Sequence, residues 1–313
     1  MAIDGTPRSG EEYGIYLDGF APDENVALTV ADFDLGSQLA DSAGGVWITV
    51  PLGDRGSASD VLLASGTGAI SGKTSTFSFR TDPSAKKSGV WATSGSQTSI
   101  TLDGSNTKID NAHTDGGINV AGQNVAISNL EYGTTLKASG TSFVVTSKAV
   151  VPPNGNPYPV LIDDWKPGGR KAIEVGALYK SVAAASCTNG QWNVSAVTLS
   201  AGGIYYVPCR VRLTGNNTTV TATIIAEGAI VVAGNGITLT PPAGSDALVS
   251  ASTSDMAINL AGNTTAVNGR ILAVGGVRVD GNNAVLRCTV AGRQVAIAGN
   301  NTVVPRGTCP TAA

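Results

Sequence analysis

Asp163, Asp164 and Glu174 are the acidic residues of this 313-residue chain best placed for acid and base work, because cleavage of a glycosidic bond needs two neighbouring carboxylates. Tyr158, Trp165 and Tyr179 lie in the same segment and supply flat aromatic rings of the kind that stack on sugar faces. If the protein is an enzyme, these carboxylates are its catalytic groups and these aromatics its ligand-binding groups. The opposing reading makes Asp163 and Asp164 a solvated turn, ion-paired to Lys166 or Arg170, and makes the aromatics anchors onto a neighbouring wall.

The single histidine, His113, lies in "DNAHTDGG". A Ser-His-Asp relay needs a marked nucleophile such as GxSxG, and none is present, so His113 reads as a polar turn residue. The surrounding run "DGSNTKIDNAHTDGG", Asp103 to Gly117, offers oxygen ligands at turns, which suits calcium, but it has neither EF-hand spacing nor a nonapeptide calcium repeat. No cofactor is otherwise implied, since neither GxxxxGK[ST] nor GxGxxG occurs. Outward Thr146, Thr219, Thr221, Thr238 and Thr240 form a short threonine file that adjacent repeats interrupt with Ala266, Asn268, Val285 and Arg287.

Cys187, Cys209, Cys288 and Cys309 all fall in the second half, at separations of 22 and 21 within successive pairs. Neither pair has a CxxC core and only one histidine is available, so a tetrahedral zinc site is disfavoured. The spacing predicts disulfides Cys187 to Cys209 and Cys288 to Cys309, and with them an oxidising, extracellular or cell-surface location. No secretory signal precedes "MAIDGTPRSG", so export implies a trimmed signal or another route. A net charge of -3 with scattered Lys and Arg gives no reason to propose a phosphate-binding face, so no nucleic-acid partner is expected. No apolar run approaches the roughly 20 residues of a membrane span, which argues against membrane insertion.

The elements that must position these residues are written in a repeat. "DGSNTKID", "AGQNVAIS" and "SGTSFVVT" align on Gly104, Gly122 and Gly140 at intervals of 18 and 18. The signal returns at Gly215, Gly234, Gly262, Gly281 and Gly299, at intervals of 19, 28, 19 and 18, giving eight rungs. Positions -4, -2, +3 and +5 from each glycine are mostly apolar or Thr: Ile100, Leu102, Thr107 and Ile109 in the first rung, and Ile230, Val232, Ile237 and Leu239 in a later one. Spacing by two on each side of the glycine predicts two strands per rung, each turning alternate side chains to one interior.

A unit of about 18 residues cannot bury its own apolar face, but copies stacked at about 4.8 Å template one another. The fold class is therefore all-β, a parallel β-helix (solenoid) over 90–313. The glycine is expected to supply a positive φ at the corner, with Asn217, Asn283 and Asn301 at +2 as a partial polar ladder. The 28-residue interval predicts a loop at "PPAGSDALVSAS". A longer insertion at about 150–205 carries one helical run, Arg170 to Ala185, and packs on the side or end of the solenoid.

Residues 1–85 read differently. "EYGIYLDGF", "NVALTVADF", "GVWITVPL" and "TSTFSFRTD" predict strands of a small Ig-like β-sandwich, followed by the linker "DPSAKKSG".

The stretch "GIYYVPCRVRLTGNNTTVTATIIAEGAIVVAGNGITLTP", with "IDDWKPGGRKA" and "CTNGQW", resembles exported bacterial β-helix proteins whose coils carry Gly-Asn or Gly-Ser turns. The resemblance covers roughly Thr98 to Cys309 and implies association with envelopes or pilus-type systems, without an activity to carry over. A weaker resemblance is to bactofilins, β-helices that polymerise end to end, from which the cysteines, the insertion and the leading sandwich depart. The expected function is a non-enzymatic structural or adhesive element of the cell surface, partnered by other surface proteins or by copies of itself. The alternative is a carbohydrate-binding or carbohydrate-active protein that uses the insertion. Open solenoid ends expose strand edges. "TCPTAA", with Cys309, is expected to seal one end and the sandwich the other; if either fails, filaments follow.

Overall fold

The structure, a computed structural model, describes residues 2–3, 12–30, 33–51, 61–80, 89–151, 153, 160–199, 202–242 and 245–305. The chain divides into two compact units, Met1–Lys86 and Lys87–Ala313.

The first unit is a β-sandwich. One sheet orders Ala2–Ile3, Glu12–Asp18 and Gly45–Pro51, and the other orders Phe33–Leu39, Asn25–Val30, Val61–Gly68 and Thr74–Arg80, with every pair antiparallel. Ile15, Leu17, Phe20, Val26, Leu28, Val46 and Ile48 form its core. All four expected strands are present. Phe33–Leu39 and Val61–Gly68 are additional, and their small or polar residues, "FDLGSQL" and "ASGTG", gave no alternation to read.

Within this unit Glu24 is fully buried and ties a turn down. Its carboxylate accepts from the backbone N–H groups of Ser71, Ile70 and Ala21 and from Ser71 Oγ, at 2.5 to 2.9 Å. Those bonds, Ser71's first, hold its pKa at about 2, against an ordinary 4.5. A lowered folded-state pKa means that the stabilisation is complete above about pH 4.5 and fades as pH falls toward 2. Glu24→Gln is expected to melt lower than wild type at pH 7 and to show a flatter loss of melting temperature between pH 4.5 and 2, measured by thermal denaturation across that range.

The second unit is the parallel β-solenoid, of about 11 turns. All eight glycine-marked turns are present, and partial turns without the glycine account for the rest. Each full turn has three strands, not the expected two. In the turn around Gly104 the first face is Ile100–Leu102, and the strand Lys108–Thr114 bends through the second face at Lys108–Ile109 and the third at Ala112–Thr114. The third face escaped the sequence because many of its inward positions are small: Ala92, Thr114, Ala226, Ser250 and Ala273. The residues beyond the usual interval between Gly234 and Gly262 are divided between the two corners that flank a third-face strand, Leu248–Ser250.

The glycines line up along one edge. A Cβ on Gly234, Gly262, Gly281, Gly299, Gly104, Gly122 or Gly140 would meet the carbonyl oxygen of the glycine one turn earlier, well under the 3.0 Å that real Cβ atoms respect. Close backbone approach therefore demands glycine here. Among these corner glycines only Gly215 has a positive φ. The left-handed residue is instead the one at +2: Asn106, Asn124, Ser142, Asn217, Gly236, Thr264, Asn283 and Asn301. Asparagine tolerates that conformation best among residues with a side chain, and its amide also bonds along the stack. Asn301 donates to Asn283, Asn106 to Asn301 and Asn124 to Asn106, at 2.9 to 3.1 Å. A second file at +1 runs from Asn235 through Asn263, Asn282 and Asn300 to Ser105, each side-chain oxygen accepting the next backbone N–H at 2.8 or 2.9 Å.

The stacking order is not the chain order. On the first face it runs Gln191–Ser195, Arg210–Thr214, Ile230–Val232, Ile258–Leu260, Gly276–Val279, Gln294–Ile297, and then Ile100–Leu102, Ile118–Val120 and Leu136–Ala138. The last turn made thus sits beneath the first, with Val295 opposite Ile100 and Ile297 opposite Leu102. One composite turn closes this seam: Val303–Val304 gives its second face and Val90–Ala92 its third. The solenoid begins and ends in its own middle. A single core unites both halves, from Val90 to Leu130 and from Val194 to Val304.

The segment after Val150 must then return past the whole stack. Val160 packs on Trp91, Leu272 and Ala291, whereas Trp165 packs on Ile204, Tyr206, Ile225 and Val249. These residues include one outward column of the third face, in register from Tyr206 through Ile225, Val249, Leu272 and Ala291 to Trp91. The insertion is a crossover strap laid along that apolar column. Its helical content is smaller than expected: Arg170–Glu174 is helical, Gly176 takes a positive φ that ends the run, and Tyr179–Ser181 joins the third face.

Candidate functional site

The strap places the expected site residues apart from one another in role. Asp163 and Asp164 lie on the short helical turn Ile162–Trp165. Lys166 Nζ reaches Asp163 at 2.6 Å, and Arg170 reaches Asp164 at 2.8 Å. The Asp163 hydrogen bond and charge raise the Lys166 pKa, as a partnered ammonium requires. Glu174 is exposed at the end of its helix. Each aspartate is therefore neutralised by its own cation, and neither is held in the apolar setting that makes a carboxyl group a general acid.

The aromatics serve as anchors. Trp165 is 7% exposed, its ring against the wall and Lys171 Nζ 5.5 Å above the centroid. Tyr179 donates its hydroxyl proton to the Trp165 carbonyl at 2.7 Å, and burial raises its pKa. Beside them, Tyr206 donates to Glu227 Oε1 at 2.5 Å, and burial, followed by that carboxylate, pushes its pKa upward. Tyr158 lies outside the described residues. The described geometry follows the opposing reading of the segment, in which local ion pairs and buried rings fix the strap in place.

A second constellation lies where a polar turn is expected. His113 is in a strand, 4% exposed, and stacks on Trp91 at 3.7 Å between ring centroids. Its Nδ1 is 2.9 Å from Glu131 and its Nε2 3.3 Å from Asp115. Trp91, Asp115 and Glu131 were missed, although the interval of 18 already put Glu131 directly above His113. Each ring nitrogen faces a carboxylate, one on the same turn and one on the next, so the cluster is a polar bridge between stacked turns. The nearest hydroxyls on the strand and its corner, Thr114 and Ser99, are buried and hydrogen-bonded to each other.

The stretch from Asp103 to Gly117 forms one turn of the solenoid. Asp110 accepts from Ser128 Oγ at 3.4 Å and Asp115 faces His113. Among the described residues no group of three or more His, Cys, Asp or Glu is arranged to hold a metal ion. Thr219 and Thr238 pair in register, but Ala266 and Val285 continue their column, so that part of the threonine file is two turns deep.

Cys187 and Cys209 form the expected disulfide. Cys288 is buried, and its expected partner Cys309 lies outside the described residues. The bridge closes a 22-residue separation at the starting end of the stack, where Trp192 stacks at 6.1 Å on Tyr205. A loop of that size is worth about 3 kcal/mol. Cys209→Ser is expected to lower the unfolding free energy by about that amount. Urea denaturation with and without reductant checks it: the reductant should weaken wild type more than the variant.

No helix among the described residues is long and apolar enough to cross a membrane. No family model matches the sequence, and neither the curated proteins nor the solved structures hold a match to it.

Proposed function

We propose that this protein is a non-enzymatic structural or adhesive element of the cell surface, built from a disulfide-stapled β-solenoid and a β-sandwich. The observation that carries the reading is where the polar chemistry goes. The carboxylates Asp163 and Asp164 are bound to Lys166 and Arg170, Trp165 is turned into the wall, and His113 is locked between Glu131 and Asp115. Exposed along one edge of the stack are the asparagine files. A rigid scaffold with few convergent, accessible titratable groups suits attachment better than turnover. The Cys187–Cys209 bridge suits an oxidising compartment, and the resemblance to exported β-helix proteins points the same way.

The test is to incubate the purified, non-reduced protein with isolated cell envelopes and with a panel of polysaccharides. Retention on envelopes with no release of reducing sugar is the expected result. Sugar release that Asp163→Asn or Asp164→Asn abolishes would replace this reading with the carbohydrate-active one.

A further inference from the structure

The two ends of the solenoid are built differently. At the starting end the helix Ala196–Leu199 stands where later turns have their second-face strand, with Ala196 and Leu199 fully buried. At the finishing end, Leu136–Ala138 and Val144–Val150 pair on one side only among the described residues. Val144 is 57% and Val150 68% exposed there, and Leu136, Phe143 and Val145 only partly cover the core. An open edge of this kind invites a second chain.

Turns of this chain already recognise one another without covalent continuity, since the seam joins Gln294–Ile297 to Ile100–Leu102. A second copy is thus the occupant that the edge fits. It cannot offer its starting end, where a helix replaces one strand, so the only complete contact is tail to tail and antiparallel. The edge strand is close to self-complementary for that purpose. Its inward positions, set by register with buried Val125, Ile127 and Leu130 and partly buried Tyr132, are Phe143, Val145, Lys148 and Val150. They are symmetric about the Thr146–Ser147 bond, so Phe143 would face Val150 of the other copy and Val145 would face Lys148.

Lys148 is the exception in an otherwise apolar set. It ends an interior column that runs in register through Tyr205, Ile224, Leu248, Ile271, Val290, Val90, Ala112 and Leu130. The same column begins with Lys180, whose ammonium folds back onto the Gly202 carbonyl at 2.6 Å and over the Tyr205 ring. Both ends of one apolar column therefore finish in lysine. An inward ammonium stays solvated while its turn is terminal, and a further turn would bury it without a carboxylate: residues 133–150 contain no Asp or Glu.

We infer that Lys148 closes the finishing end of the solenoid to a second copy, keeping an edge that is otherwise ready to pair in the monomeric state. The inference stands on the end geometry and is independent of the surface role.

Sedimentation velocity on the full, non-reduced chain tests it. Wild type and Lys148→Arg are expected to be monomers. Lys148→Leu is expected to form a discrete dimer, with Kd at least about 100-fold tighter. Lys137→Leu, on the same edge but at an outward position, is expected to remain monomeric. Adding Val145→Lys to Lys148→Leu swaps the pair, so that a lysine again faces an apolar residue, and is expected to return the chain to monomer, with unchanged circular dichroism. A wild-type dimer or filament, a monomeric Lys148→Leu, or equal dimerisation by Lys137→Leu would each overturn the proposal.

Discussion

Gly262→Ala is expected to destabilise the solenoid by at least about 3 kcal/mol, the upper part of the range for overpacking a tight interior. The methyl group would enter the space held by the Gly234 carbonyl oxygen and carbon, both backbone atoms of the turn below. A flexible side chain would swing aside, whereas a backbone carbonyl moves only if two stacked turns separate, which breaks ladder hydrogen bonds on either side. Gly95→Ala is the control: a Cβ there has nothing within 4 Å, and a change within about 0.5 kcal/mol is expected. Asn283→Val isolates the other corner device, because Asn283 has φ of 60° and a β-branched residue there is strained by about 1–2 kcal/mol. Urea denaturation followed by far-ultraviolet circular dichroism ranks the three. If Gly262→Ala unfolds with Gly95→Ala, backbone contact does not fix the spacing of the turns.

Ile297→Asp is expected to loosen turns that lie far away in sequence. Ile297 is buried between Val279 and Leu102 in one inward column, and a carboxylate there has no cation to meet. An unpaired buried charge is costly by several kcal/mol. Because the seam is the site of damage, amide exchange should rise most in Ile100–Leu102, Ile118–Val120 and Leu136–Ala138, and less in Arg210–Thr214 and Ile230–Val232. Were the stack in chain order, the same change would harm only the final turn and spare residues 100–138. A permuted chain makes the complementary case. Running 160–305, then directly 89–151, it joins Pro305 to Gly89, which stand in the composite turn where Asp110 and Asn111 stand one turn on. That permutant is expected to fold with a cooperative transition, since it makes the spatial order and the chain order the same.

The repeat was legible because stacking imposes a local rule on every copy. Glycine at one corner, a left-handed residue two places on and alternation on both sides all follow from the contact between a turn and its neighbour. The third face was hidden because Ala92, Ser250 and Ala273 are small enough to read as loop. Asp163, Asp164 and Trp165 have residue types that suit a carbohydrate site; their ion pairs and the apolar column beneath Trp165 appear only in the tertiary structure. His113 was read as a turn residue because its partner Trp91 belongs to the seam, and Glu131 was one interval away and unread.

Taken alone, the amino-acid sequence determined that this chain stacks, at what interval, which side chains face inward on two of the three faces and that a sandwich precedes the stack. These depend on periodicity, which every residue carries with it. Tertiary structure decided which turn lies on which: all turns present nearly the same edge, so local pattern permits many orders. The order shows only where distant segments meet, in the pairing of Gln294–Ile297 with Ile100–Leu102 and in the apolar column under the strap.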